Sequence, residues 1–118
     1  MNTSLKAKGI SLTDAIKAAI EQKLTVLEKK VTKFGPSVNA EVEVGRTTKH
    51  HKKGELYRAE VHVRLPGKLV YAEALNKDLY AAIGAAVREA GAQISSYKGL
   101  RAEDRRTAKK TKGGRESA

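Results

Sequence analysis

Apolar residues recur along this chain with either the helical or the strand spacing, and the order of these segments is compatible with few folds. Apolar residues recur every three or four positions over residues 13–33 and again from Asn76 onward, which predicts two amphipathic helices. Three segments between them, and a shorter one at residues 3–8, alternate apolar and polar residues, which predicts strands with one buried face. The predicted order is therefore β-α-β-β-β-α.

The first helix is predicted to start at Thr13 and Asp14 and to end at Gly35-Pro36. Its apolar stripe consists of Ile16, Ala19, Ile20, Leu24, Leu27 and Val31. The stripe of the second helix consists of Leu79, Tyr80, Ile83, Ala86, Val87, Ala90, Ile94 and Tyr97. Gly84 and Gly91 lie within this second helix, where each costs about 1 kcal/mol relative to Ala. Such small residues allow close approach, either to the sheet or to the other helix.

The three central strands are predicted at residues 38–44, 57–65 and 70–74, as an antiparallel meander. Leu65-Pro66-Gly67-Lys68 is typical of a tight turn, and residues 46–54 form a longer exposed loop. Each apolar stripe needs a partner, so both helices are expected on one face of a four-stranded sheet, in an α+β fold. The opposite sheet face is then open to water.

Positive charge is concentrated in two places. The chain has 24 Lys and Arg against 13 Asp and Glu, a net charge of +11, which indicates a polyanion-binding protein, most simply one that binds nucleic acid. The candidate phosphate-binding residues of the loop are Arg46, Lys49, His50, His51, Lys52 and Lys53. Those of the C-terminal region are Lys98, Arg101, Arg105, Arg106, Lys109 and Lys110. A solvated loop and a solubilising terminus are the alternatives.

Residues 1–101 are expected to form one folded domain, and residues 102–118 a basic, disordered tail. The chain has no Cys, no Gly-rich phosphate loop and no His pair at metal-binding helical spacing, so we expect neither an enzyme nor a metal site or other cofactor. No signal peptide or membrane-spanning run is evident, so the cytoplasm is the expected location and no membrane or small-molecule partner is expected.

The open sheet face is predicted to mix both signs of charge. It carries Lys6, Lys8, Glu41, Glu43, Arg58, Glu60, His62, Arg64, Tyr71 and Glu73. Cross-strand charge pairs are the simplest explanation. Base stacking in the manner of an RNA-recognition motif needs several aromatic residues, and only Tyr71 is present there.

Four stretches of the sequence resemble the ribosome hibernation-promoting factors, also called the sigma-54 modulation or ribosome-associated inhibitor family. They are residues 7–16, 23–28, 57–67 and 78–83, the last being Asp78-Leu-Tyr-Ala-Ala-Ile83, and the likeness covers residues 2–101. The resemblance implies the same β-α-β-β-β-α order, in a fold similar to that of double-stranded-RNA-binding domains.

The resemblance also implies a function. Members of that family bind the small ribosomal subunit through its 16S-type rRNA and occupy the decoding region, where they silence idle ribosomes during starvation or stationary phase. Carried over by position, Lys8, Lys23, Lys29 and Lys98 match basic or polar positions of the family. Lys30 adjoins Lys29 at the end of the first helix. Relatives are often basic at three positions of the second helix where this chain has Glu89, Ala92 and Ser96, and Arg88 is expected to compensate for that missing positive charge.

The chain resembles the short form of the family, without the further domain that pairs ribosomes, so we do not expect it to pair ribosomes by itself. The protein itself is expected to be a monomer. Two other hypotheses stay open. One is a general module for structured RNA or DNA on the same fold, since fold alone does not define function. The other is a ribosome-assembly or protein-interaction module whose charged patches serve solubility.

Overall fold

The computed structural model describes residues 1–47 and 56–114, with side chains described as far as Leu100. The elements are β1 (Asn2–Lys8), α1 (Asp14–Val31), β2 (Asn39–Thr47), β3 (Leu56–Leu65), β4 (Lys68–Asn76) and α2 (Leu79–Gly114). A short 3-10 turn, Thr32–Phe34, follows α1. The predicted α+β class and the β-α-β-β-β-α order are confirmed.

The four strands form one sheet in the order β1-β2-β3-β4. β2, β3 and β4 pair antiparallel as the predicted meander, with Val42 opposite Val61 and Val61 opposite Ala72. β1 instead lies parallel to β2, with Leu5 opposite Val42. Parallel neighbours need a crossover connection, and α1 supplies it.

Local signals place the ends of both helices. The Thr13 hydroxyl oxygen accepts a hydrogen bond from the backbone N–H of Ile16 at 3.2 Å, which caps the start of α1. Gly35 ends the turn after α1 at a φ of 91°, which favours glycine. At the start of α2 the Asp78 carboxylate accepts a hydrogen bond from the Tyr80 N–H at 3.0 Å. The predicted helix starts are therefore correct to within a few residues.

Both helices cover the same sheet face and bury one continuous apolar core. Ile20, Leu27, Ile83 and Ile94 from the helices are fully buried. They pack in one cluster with the inward strand residues, which include Val42, Val44, Val61, Val63 and Val70. The predicted layer arrangement is confirmed, and the opposite sheet face is left to solvent.

The stripe of α2 differs from the prediction at one residue. Leu79, Ile83, Ala86, Val87, Ala90 and Ile94 are buried, but Tyr80 is 44% exposed. Tyr80 is in the first turn of α2, where it lines an open cleft together with Ile10 and Lys77.

α2 continues to Gly114, which is longer than the sequence predicted. Residues 101–112 contain no Gly or Pro and are rich in Ala, Lys and Arg, which favour a helix. Residues 115–118 lie outside the described residues, and the division of the chain at residue 101 stays a prediction. In the part of the chain that the structure describes, no helix is long and apolar enough to cross a membrane.

Replacement of a core residue of α2 tests this packing. Ile83→Ala should lower the free energy of unfolding by about 2–5 kcal/mol, because a fully buried side chain is lost and a cavity remains. Urea denaturation measures the change. Leu69→Ala is the matched control, since Leu69 is 56% exposed, and its effect should stay within ~0.5 kcal/mol. Equal losses for the two variants would contradict the placement of α2 over the sheet.

Candidate nucleic-acid interface

Gly84 and Gly91 of α2 face α1 and not the sheet. A Cβ atom built on Gly84 would lie 3.4 Å from the Lys23 Nζ and 3.5 Å from an Arg88 guanidinium nitrogen. One built on Gly91 would lie 3.5 Å from Leu27 Cδ2 and 3.5 Å from Lys30 Cε. A Cβ atom at either position would make ordinary van der Waals contact with α1 side chains, so both glycines lie at the contact between the two helices, which answers the question that the sequence left open.

A groove runs along this contact on the solvent side of the two helices. It has a volume of about 280 Å³. Its lining consists of Lys23, Val26, Lys30, Gly84, Val87, Arg88 and Gly91. Three cations thus border a floor of small and apolar residues, with no carboxylate among them. The groove suits an anionic chain that contacts the protein through its backbone.

Two lysines on this side of the domain are held by hydrogen bonds. The Lys30 ammonium donates to the Ser95 hydroxyl at 2.7 Å and reaches the Gly91 carbonyl oxygen at 3.4 Å. The Lys98 ammonium donates to the carbonyl oxygen of Lys30 at 2.9 Å. That carbonyl lies in the last turn of α1, where the helix supplies no N–H partner and a cation suits the helix dipole. Lys98 therefore caps α1 in addition to its predicted place in the interface.

The structure brings some of the predicted site residues together and separates others. Lys23, Lys30 and Arg88 share the groove, whereas Lys29 is exposed on α1 outside its lining. Lys8 lies on the open sheet face, with its ammonium 4.0 Å from a Glu43 oxygen. Arg46 lies near the end of β2.

The remaining predicted residues have no described side chains. Lys49, His50, His51, Lys52 and Lys53 lie outside the described residues, and the side chains of Arg101, Arg105, Arg106, Lys109 and Lys110 do as well. Their roles stay predictions. Within residues 1–47 and 56–100, no group of three His, Asp or Glu side chains is placed to hold a metal ion.

Charges on the open sheet face neutralise one another, as the sequence predicted. The Lys6 ammonium lies 2.8 Å from a Glu41 oxygen, and the hydrogen bond between them raises the pKa of Lys6 and lowers the pKa of Glu41. The Arg58 guanidinium donates from Nε to Glu73 at 2.7 Å and also pairs with Glu60. This face therefore presents little net charge to a polyanion.

Tyr71 completes the network on that face. Its hydroxyl donates to Glu73 at 3.0 Å, and its ring centroid lies 4.8 Å from that of His62. Partial desolvation raises the pKa of Tyr71, and the hydrogen bond with Tyr71 raises the pKa of Arg58. The ring is engaged by its neighbours, which agrees with the expectation that bases do not stack along this sheet.

Sequence reasoning missed two features of the helix side. It gave no role to Ser95, whose hydroxyl fixes Lys30, because a lone Ser on a helix carries no signal of its partner. It also assigned Tyr80 to the core. Helical spacing did not reveal this, since α2 buries other adjacent pairs such as Ala86 and Val87.

The structure is a small α+β domain in which a cationic helix layer covers one face of a sheet whose other face is charge-neutral. The chain belongs to the family of the sigma 54 modulation protein and S30EA ribosomal protein, whose model matches residues 3–101. The suspected membership is confirmed. No match was found among curated proteins.

Two solved structures are similar to this chain. The N-terminal domain of protein Y from Thermus thermophilus is 32% identical, with a TM-score of 0.66, over 82% of this chain and 99% of that one. A ribosomal subunit interface protein from Coxiella burnetii has a TM-score of 0.61 over 84% of this chain and 99% of that one. It is 19% identical, so this second likeness shows the fold alone.

The capping role of Lys98 predicts a loss of stability that is independent of any ligand. Lys98→Met keeps most of the aliphatic side chain but removes the donor to the Lys30 carbonyl, so the free energy of unfolding should fall by about 0.5–2 kcal/mol. Urea denaturation of the free protein measures it. The control is Lys68→Met, at the exposed first position of β4, which should change stability by less than ~0.5 kcal/mol. A stable Lys98→Met variant would show that the cap contributes nothing.

Proposed function

We propose that this protein binds the small ribosomal subunit and occupies its decoding region, where it keeps idle ribosomes silent or protected. Family membership supports the ribosome as the partner, since the family includes the S30EA ribosomal protein. The observation that carries the proposal is the convergence of Lys23, Lys30 and Arg88 on one groove, opposite a sheet face whose charges are internally paired.

The proposed mechanism is steric occlusion combined with phosphate neutralisation. The groove presents cations around an apolar floor and no ordered array of base-reading amides, so it favours contacts to the backbone and shape of folded RNA. A domain fixed in this way in the decoding region would overlap the positions of mRNA and of the A- and P-site tRNAs. No chemical step is required, and we propose neither an enzyme activity nor a cofactor.

The proposed action takes place in the cytoplasm, where translating and idle ribosomes are found, and one monomer per small subunit is sufficient for it. A 1:1 ratio of protein to small subunit at saturation is the expected stoichiometry.

Co-sedimentation with purified small subunits at low and high salt tests the proposal. Binding should weaken steeply as salt rises, because each phosphate contact releases condensed counterions. Arg88→Ala should lower affinity and reduce the slope of log affinity against log salt concentration by about one, as expected for the loss of one phosphate contact. Arg64→Ala is the matched control, an exposed arginine on the open sheet face, and should bind like the unchanged protein. No association at low salt, or equal losses for the two variants, would contradict the proposal.

The loop and the C-terminal region are proposed to add to this binding. Reversing the charge of Lys49, Lys52 and Lys53 together should weaken small-subunit affinity, as should removal of residues 102–118, while the thermal unfolding of the domain stays unchanged. Filter-binding titration gives the affinities. Unchanged affinity in either variant would assign that segment to solubility alone.

A competition experiment separates this function from that of a general duplex-binding module. If the decoding region is the target, an excess of a simple RNA duplex should displace the protein from small subunits poorly. If the duplex displaces the protein when duplex and small subunits supply equal concentrations of phosphate groups, the general module is favoured.

A further inference from the structure

A second cleft lies at the end of the sheet, away from the helix groove. Arg46 lies opposite Tyr57, and Tyr57 lies opposite Asn76, so these residues form a row across β2, β3 and β4. Arg46 follows the buried Ala40, Val42 and Val44 at the spacing of two that keeps a side chain on the helix side of the sheet. Beside this row the start of α2 and residue Ile10 close a cleft of about 390 Å³.

The segment that forms one wall of this cleft is held by its own hydrogen bonds. The Asp78 N–H donates to the Asn76 side-chain oxygen at 2.9 Å, and the Tyr80 N–H donates to the Asp78 carboxylate at 3.0 Å. The Ala82 N–H then donates to the Asp78 carbonyl oxygen at 3.0 Å. The backbone of Tyr80 is therefore held in position, and its side chain is 44% exposed.

The lining of the cleft combines cations with aromatic and apolar surface. Arg46 and Lys77 contribute two positive charges, and Asp78 contributes one negative charge, with one of its oxygens already bound to the Tyr80 N–H. The remaining surface is supplied by aromatic and apolar residues: Tyr57, Tyr80, Ile10, Ile16 and Leu79. The lining of the helix groove contains no aromatic residue, so the two sites differ in chemistry.

A nucleotide offers the complementary groups: a flat base with a π face and a charged phosphate a few ångströms away. Aromatic rings beside cations are the common means by which proteins bind single-stranded nucleic acid. The volume lies within the range of about 300–1,000 Å³ that is usual for small-ligand sites.

We propose that this cleft binds one unstacked nucleotide of a single-stranded RNA. The base lies against the Tyr80 ring, and the adjoining phosphate lies toward Lys77 and Arg46. A base within a duplex has no free face for Tyr80, so the site selects single strands. The inference goes beyond the proposed function, because it requires single-stranded RNA and not the small subunit.

Fluorescence titration with a short single-stranded RNA that carries one fluorescent base analogue tests the proposal. The full-length protein should quench the analogue on binding, because stacking on tyrosine quenches such bases. Tyr80→Ala should abolish the quenching and weaken binding on the order of tenfold, the effect usual for one stacked base. Tyr80→Phe should retain both, since the ring is kept.

The matched control is Tyr71→Ala. Tyr71 is 43% exposed, close to the 44% of Tyr80, but it lies on the open sheet face. This variant should quench and bind as the unchanged protein does. Lys77→Ala should weaken binding and lower the salt slope by about one contact, whereas Tyr80→Ala should leave the slope unchanged.

Absence of quenching with the unchanged protein, or equal effects of Tyr80→Ala and Tyr71→Ala, would overturn the proposal. A loss of small-subunit binding in Tyr80→Ala without any effect on the oligonucleotide would also overturn it and would indicate a protein contact. Because Tyr80 is 44% exposed, its two variants should melt close to the temperature of the unchanged protein. Quenching that persists while small subunits do not bind would refute the proposed function alone.

Discussion

The burial of one sheet face beneath both helices is the constraint on which the rest of this structure depends. Alternation along β2 and β3 sends Val42, Val44, Val61 and Val63 to that face, and Ile20, Leu27, Ile83 and Ile94 close over them. Because apolar side chains fill this interior, the charged residues of the helices and strands are directed either to the outer surface of the helices or to the open sheet face. The two surfaces then differ in how their charges are arranged.

That arrangement separates a surface that attracts anions from one that does not. On the sheet, neighbouring strands hold opposite charges at pairing distance, so Lys6 meets Glu41 and Arg58 meets Glu60 and Glu73. On the helices, Lys23, Lys30 and Arg88 converge without a carboxylate in the lining of the groove. Exposed ion pairs contribute little to stability. Their consequence here is electrostatic, because they confine the positive field of the folded domain to the helix side.

Periodicity was sufficient to predict most of the fold and only part of the site. Period-two alternation identifies β2, β3 and β4, and Thr13 and Gly35 mark the limits of the first helical region, because these signals are local. The parallel pairing of β1 with β2 is not a local property, and nothing in the sequence of β1 indicates it. The contact made by Gly84 and Gly91 is also not a local property. Their small size predicts a close contact, but only the relative placement of the helices shows that the contact is with α1.

The lysines of the helix side show why a count of positive charges does not predict which residues of an interface can bind a phosphate. A lysine that binds a phosphate must give up the freedom of a long side chain, at up to about 2 kcal/mol. In Lys30 part of that freedom is already lost, because Ser95 and the Gly91 carbonyl hold the ammonium in place. In Lys98 the ammonium is occupied by the end of α1, so a phosphate must share it with a carbonyl. Residues with the same charge in the sequence therefore differ in how readily they can bind a phosphate in the folded protein. Arg88 is exposed at the groove and Lys30 is preorganised, whereas Lys98 stabilises the end of α1.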